Sequence, residues 1–215
     1  MKIAVIGTGN VAQALVNGLI SEGYDVKVGS RSLEKDSENI TKLKKAHSNV
    51  SITSYTEAVE FGDVIVLPVP GSALVDVIQE IGVQKFEGKI LWDITNALSA
   101  EAPGNGVIKL ITTPEESLAE KIQKLLPSTH VIKAMNTVGA HLMYRPVLSE
   151  KGTVFLAGND EQAKDKISSI VEKFGWESYD TGKIESSRAL EYMGQLYVAQ
   201  GILYNGWNST FKYVK

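Results

Sequence analysis

The chain of 215 residues has no cysteine, which excludes disulfides, thiolate metal sites and cysteine nucleophiles. Its three histidines, His47, His130 and His141, are not linked by any metal-ligand spacing, so no metal site is expected. No window approaches the roughly 18 apolar residues of a membrane span. The opening MKIAVIG has too short an apolar run for a signal peptide. A basic surplus is missing as well: the formal net charge is -3, which argues against a nucleic-acid partner. These absences lead us to expect a soluble, cytoplasmic chain, in which the sequons at Asn39, Asn49 and Asn208 are fortuitous.

What is present is ordinary for a globular protein, with 43% hydrophobic and 22% charged residues. Short apolar runs alternate with longer amphipathic ones, as in a parallel sheet with crossover helices. The strand runs are KIAVIG (2–7), DVKVGS (25–30), VSIT (50–53), DVIVLPVP (63–70), KILWDIT (89–95), HVIKAMN (130–136), GTVFLAG (152–158) and WESYD (176–180). Helical spacing is expected over 10–21, 33–46, from Leu74 to Ile81, over 115–126 and 161–174, and from about Ser186 onward. Residues 99–113 read as a loop. The pattern gives one α/β domain over 1–215, a doubly wound parallel Rossmann sheet. A dinucleotide-binding core takes about 1–150, and a small C-terminal extension of strands and a closing helix takes about 151–215.

GTGNVA (Gly7 to Ala12) is the alanine-ended form of the dinucleotide fingerprint, placed directly between a strand and a helix. Gly7 permits the tight turn, Gly9 lets a pyrophosphate approach the backbone, and Ala12 lets the helix pack on the strand. The helix start then offers free N–H groups and partial positive charge to phosphates.

At the end of the second strand, a site for NAD would hold an acid against the ribose 2′-hydroxyl. This chain reads Ser30-Arg31-Ser32 there, with no acid before Glu34, and it has only three arginines in all. Arg31 can fork two charge-assisted hydrogen bonds to a 2′-phosphate, Ser30 can add one, and Lys35 is in reach as a point charge. The expected cofactor is NADP.

Other segments fall at the carboxyl ends of strands, where ligands lie in such folds. Asn96 and Asn136 end apolar strands and suit either the orientation of a planar ring or simple turn formation. His141 has no acid nearby in sequence and reads as structural or exposed. The pair Tyr179 and Lys183 has the spacing of a short-chain dehydrogenase dyad, but YDTGK ends a strand and carries Gly182, so the two cannot share a helix face. No catalytic acid or base is expected, and hydride transfer between two flat rings needs none.

The segments KIAVIGTGNVAQAL, VGSRS, DVIVLPVP, DITNAL, KAMNTVGAH and ALEYMGQL resemble, in order, those of the NADP oxidoreductases that work with the deazaflavin coenzyme factor 420. Ala97 stands where that family often has proline. A similar module is the NADPH-binding domain of membrane metalloreductases. The resemblance implies that Thr8, Gly9, Asn10, Val11, Ser30, Arg31 and Lys35 hold NADP, and that Pro70, Gly71 and Ala140 flank the nicotinamide. It implies a deazaflavin or flavin stacked near Met135, Asn136 and Thr137, with the C-terminal helix closing the pocket.

The expected function is hydride transfer between NADP(H) and a deazaflavin or flavin-type acceptor. The alternatives are a non-catalytic NADP sensor or redox partner subunit and, third, a small-metabolite dehydrogenase or imine reductase. The third would need a long helical domain, and only about 35 residues follow Asp180. The last helix carries Leu190, Met193, Leu196, Tyr197, Ile202 and Leu203, a stripe that fits either a homodimer surface or core.

Overall fold

Continuous apolar runs are the mark of strands covered on both faces, and here they lie at the centre of the sheet. In the computed structural model, which describes residues 1–33 and 38–215, β1 (Lys2–Ile6) buries every residue but the first. It pairs in parallel with β2 (Asp25–Gly29) on one side and with β4 (Val64–Val66) on the other. β3 (Ser51–Thr53) extends the β2 side, while β5 (Ile90–Asp93) and β6 (His130–Lys133) extend the β4 side, all parallel. β7 (Thr153–Gly158) and β8 (Glu177–Asp180) complete an eight-stranded sheet of order β3-β2-β1-β4-β5-β6-β7-β8.

Alternation along β1 divides the core in two. Ile3 and Val5 face α1 (Asn10–Ser21), α2 (Glu38–Ala46) and α6 (Glu161–Lys173). Ala4 and Ile6 face α3 (Tyr55–Phe61), α4 (Leu74–Ile81) and α5 (Leu118–Leu125). The last helix, α7 (Ser187–Tyr204), packs against α5 and β7.

The structure departs from the sequence expectations at four places. α3 occupies a stretch to which no element was assigned. Its signal is a capping box in which the Ser54 hydroxyl accepts from the Glu57 N–H while the Glu57 carboxylate accepts from the Ser54 N–H. β4 ends at Val66, because Pro68 and Pro70 have no N–H to continue a ladder. α5 begins at Leu118 rather than Glu115, since Ser117 and Glu120 form a second capping box. β7 runs antiparallel to β6, so the sheet is mostly rather than wholly parallel. The connection between them carries only a short 3-10 turn, Ala140–Leu142, and no crossover helix that would bring β7 back parallel. The loop expected at 99–113 is found, without helix or strand, and forms an ordered arm: Leu98 bridges Leu110, and a tight turn closes from Gly104 to Val107. Residues 34–37 of the expected helix 33–46 lie outside the described residues.

The apolar stripe of α7 divides. Leu190 and Tyr197 are buried, whereas Leu196, Ile202 and Leu203 are exposed. Its first turn is clamped to α5, where Arg188 Nε donates to Glu120 Oε2 at 2.9 Å and Arg188 Nη2 donates to Glu120 Oε1. Burial alone would raise the Glu120 carboxyl, but the hydrogen bonds from Arg188 and Ser117 outweigh it and hold the group at about 2 instead of 4.5. A depressed carboxyl contributes stability that is complete above its unfolded value and disappears as the pH falls from about 4.5 to about 2. The contribution near neutral pH is about 2–3 kcal/mol. We expect Glu120→Gln to lower Tm at pH 7 and to flatten the fall of Tm between pH 5 and pH 2. Thermal denaturation across that range checks this, and an unchanged slope would show that the clamp does not set acid stability.

Candidate functional site

The glycine loop is shaped by the sheet beneath it. Gly7 leaves β1 with φ of 133°, a conformation closed to other residues, and its N–H donates to Gly29 O at 2.9 Å. Thr8 O accepts from Gln13 Nε2 at 3.0 Å, and Gln13 Nε2 also reaches Asn39 Oδ1 of α2 at 3.3 Å. The loop is thus braced from behind.

Its front is open. A Cβ added to Gly9 would meet no atom of the described residues within 4 Å, so packing among them does not require glycine there. The N-terminus of α1 has no side-chain cap and no acid in its first turn, whereas α3, α5 and α6 are each capped by Ser or Asp and begin with acids. Among the described residues no side chain caps these N–H groups, and the positive end of the helix dipole faces the space above Gly9.

At the end of β2, Ser30 is nearly buried. Its N–H donates to Thr53 O at 2.8 Å and its hydroxyl to Ser32 O at 3.1 Å. Arg31 is exposed and has no ion pair among the described residues. Lys35 lies outside the described residues.

A cavity of about 520 Å³ opens at the carboxyl ends of β1, β4, β5 and β6. It lies within the size range of small-molecule sites. Val11, Pro68, Val69, Pro70, Gly71 and Ser72 form one side; Ile94, Thr95 and Asn96 form the floor; Met135, Asn136, Val138 and Met143 form the other side. The arm closes the outer wall with Leu98, Ser99, Ala100 and Ile108. No charged side chain lines the cavity among the described residues.

The cavity thus brings together Val11, Pro70, Gly71, Asn96, Met135 and Asn136 from the residues singled out in the sequence. Thr137 is buried behind the wall, and Ala140 lies in the 3-10 turn beyond it, so neither lines the space. α7 also contributes no lining residue. It packs behind the wall, where Gly194 lies so close that a Cβ would stand 2.0 Å from Asn96 Oδ1. Expected to close the pocket, the helix instead supports it from outside.

The two asparagines hold the strand ends together. Asn96 Nδ2 donates to Asn136 O at 2.8 Å, while Asn136 Nδ2 donates to Asn96 Oδ1 at 3.1 Å and to Leu190 O of α7 at 2.7 Å. Between them Met135 adopts φ of 64°, an uncommon left-handed conformation for a side chain of its size, and lines the cavity. A close approach at Gly71, whose Cβ would lie 2.3 Å from Asn96 O, binds the proline loop to the same turn.

The remaining candidates lie elsewhere. His141 Nε2 meets Asn208 Oδ1 at 2.6 Å on an exposed turn. His130 pairs with Asp160 at the amino end of β6, away from the cavity. Tyr179 belongs to β8 and stacks on Tyr213, whereas Lys183 follows in a loop, so they form no dyad on a helix. Among the described residues, no group of three or more His, Asp or Glu could hold a metal ion, and no helix is long and apolar enough to cross a membrane. Sequence reasoning missed the arm and a buried ion cluster of Asp93, Lys133 and Glu191. The available signal for the cluster was a charge inside each of two otherwise apolar strands, KILWDIT and HVIKAMN.

Residues 2–97 match the family model of coenzyme F420-dependent NADP oxidoreductases. The sequence is 28% identical over 213 residues to the F420-dependent NADP reductase of Methanocaldococcus jannaschii, covering 95% of this chain and 94% of that protein. It is 26% identical over 193 residues to metalloreductase STEAP3 of Rattus norvegicus, covering 88% of this chain but only 36% of that one. Among solved structures, a candidate F420-dependent NADP-reductase from Arthrobacter sp. FB24 superposes with a TM-score of 0.91 at 27% identity over all of both chains. The imine reductase BcSIRED from Bacillus cereus, at 18% identity and a TM-score of 0.67, covers 91% of this chain and 59% of that one and shares the fold alone. The chain therefore carries the match to the coenzyme F420-dependent NADP oxidoreductases over residues 2–97, and over its full length it is similar in sequence and fold to proteins described by that name.

Proposed function

We propose that the chain is an NADP-dependent oxidoreductase that passes hydride between the nicotinamide and a deazaflavin or flavin-type acceptor. The comparisons support the NADP-dependent oxidoreductase, and the cavity supports the planar acceptor. The observation that carries the reading is the conjunction at α1: an uncapped helix start facing open space above Gly9. That space is what a pyrophosphate needs to reach the backbone N–H groups.

In this reading Gly7, Thr8, Gly9, Asn10 and Val11 hold the phosphates. Ser30 and Arg31 hold the 2′-phosphate, with Lys35 beside them in sequence. Pro70, Gly71 and Asn96 border the nicotinamide end. Met135 and Asn136 border the acceptor, with Thr137 buried behind them and Ala140 in the turn beyond. The bound nicotinamide supplies the hydride. The chain's residues orient two rings face to face and exclude water, and the apolar wall of Pro68, Pro70, Ile94 and Met135 is suited to that task.

We expect Arg31→Ala to weaken NADPH binding by about 1.5–3 kcal/mol, the usual worth of hydrogen bonds to a charged group, and to leave NADH binding nearly unchanged. Titration calorimetry with both cofactors checks this, and equal losses would refute a 2′-phosphate site. Gly9→Ala should retain the wild-type Tm, since its Cβ meets no atom of the described residues within 4 Å, and should weaken both cofactors. The reaction itself is tested by anaerobic NADPH oxidation with deazaflavin, FMN or ferric chelate as acceptor and NADH as control. Turnover with deazaflavin and NADPH alone is the expected result. Tight NADPH binding without turnover on any acceptor would leave a sensor or partner subunit instead.

A further inference from the structure

A buried ion cluster stands beside the cavity without lining it. Lys133, the last residue of β6, is fully buried; its Nζ donates to Asp93 Oδ2 at 2.8 Å and to Thr95 O at 2.9 Å. Glu191 of α7, also buried, places Oε1 at 3.5 Å from the same nitrogen. Two carboxylates against one ammonium leave a net negative charge. The start of α5 meets it, with Leu118 N–H and Ala119 N–H donating to Glu191 Oε1 at 2.9 and 3.4 Å. Such clusters carry a large desolvation cost, and well-packed apolar replacements are often as stable or more so. A geometric role accounts for its presence better than stability does.

The bonds fall at both feet of the arm. Before the arm, Asp93 Oδ1 accepts from Thr95 N–H at 2.9 Å and from the Thr95 hydroxyl at 2.8 Å, while Lys133 holds Thr95 O. After the arm, the Thr112 hydroxyl donates to Glu191 Oε2 at 3.0 Å. One helical turn beyond Glu191, Gln195 Nε2 donates to Ile108 O at 2.7 Å, which lays the arm along α7. The residues between the two feet supply the outer wall of the cavity.

We propose that Lys133 and Glu191 are positioning residues for the acceptor: through Thr95 and Thr112 they fix both feet of the arm, and so the wall against which the acceptor ring rests. The acceptor part of this inference rests on the proposed function of the cavity. Neither residue touches the ring; both act through the backbone that does. The α1 end of the site, where the NADP phosphates are assigned, lies outside this network.

Three variants test it. Thr112→Val removes one foot's bond and leaves every buried charge in place, Glu191→Gln keeps the shape and removes a charge, and Thr112→Ser retains the hydroxyl. The readouts are hydrogen exchange of the arm amides of Ser99 and Ile111, the NADPH dissociation constant, and KM and kcat for deazaflavin. For Thr112→Val we expect arm exchange to rise by about tenfold, as for the loss of one hydrogen bond. Acceptor KM should rise severalfold, with kcat and NADPH affinity little changed. Glu191→Gln should shift the same quantities further, and Thr112→Ser should behave as wild type. Unchanged arm exchange in both Thr112→Val and Glu191→Gln would overturn the anchor. Faster exchange with unchanged acceptor KM, or an equal loss of NADPH affinity, would overturn the positioning role. If the wild-type protein uses no acceptor while arm exchange still responds, the acceptor role falls with the proposed function and the anchor stands.

Discussion

The site depends on where the sheet reverses its order of growth. β1 lies between β2 and β4, so the crossover through α1 leaves to one side and the connection into β4 enters on the other. The two directions of winding part above the carboxyl end of β1, and among the described residues no α-helix after α1 lines the crevice. Everything assigned to NADP or to the cavity hangs from this point: Gly7 turning the chain, α1 starting without a cap, and the proline loop after β4 facing them. Had the chain gone on adding strands on one side only, the same GTGNVA would have been covered.

This constraint explains why the helix ends differ. α3 and α5 satisfy their first N–H groups with capping boxes, and α6 does so with Asp160. A serine or aspartate at Gly9 would do the same for α1, but the side chain would fill the space above the loop. Leaving N–H groups unpaired costs stability, typically about 1 kcal/mol for a missing cap. The loss is tolerable because water, or a phosphate, can reach them. α4 and α7 also lack a side-chain cap, but each continues a 3-10 turn. Among α1, α3, α5 and α6, which start directly from extended chain, only α1, which meets the crevice, is left uncapped.

Much of the fold was legible because parallel strands buried on both faces read as unbroken apolar runs. β1, β2, β5 and the helices α1 and α4 follow from periodicity alone. The glycine loop was legible for a different reason, since its residues are chosen for backbone freedom rather than for packing. What escaped was held by long-range bonds. The arm has almost no periodicity, and its order comes from Ile111 bonding to Ala97, from Gln195 bonding to Ile108 and from Leu203 packing on Gly106. The direction of β7 was invisible because strand propensity carries no orientation; only the absence of a helix in the connection decides it. Lys133 and Asp93 showed as charges in apolar strands, but Glu191, 58 residues after Lys133 in the sequence, completes the cluster only in space.

The charge distribution at the site bears on the chemistry. Acid–base catalysis needs a titratable group within hydrogen-bond reach of the reacting atom. Here two ionisable groups beside the cavity, Asp93 and Lys133, face one another behind the strand ends, and Glu191 faces the start of α5. Their protons and lone pairs are committed to each other and to backbone. The surface offered to a ligand is left to prolines, methionines, asparagine amides and backbone. Such a surface has little to give a proton transfer, yet it suits two rings that exchange a hydride while water is excluded. The same fold that keeps the phosphate end bare of side chains keeps the reacting end bare of charge, and both follow from using the strand ends as a frame rather than as a source of reagents.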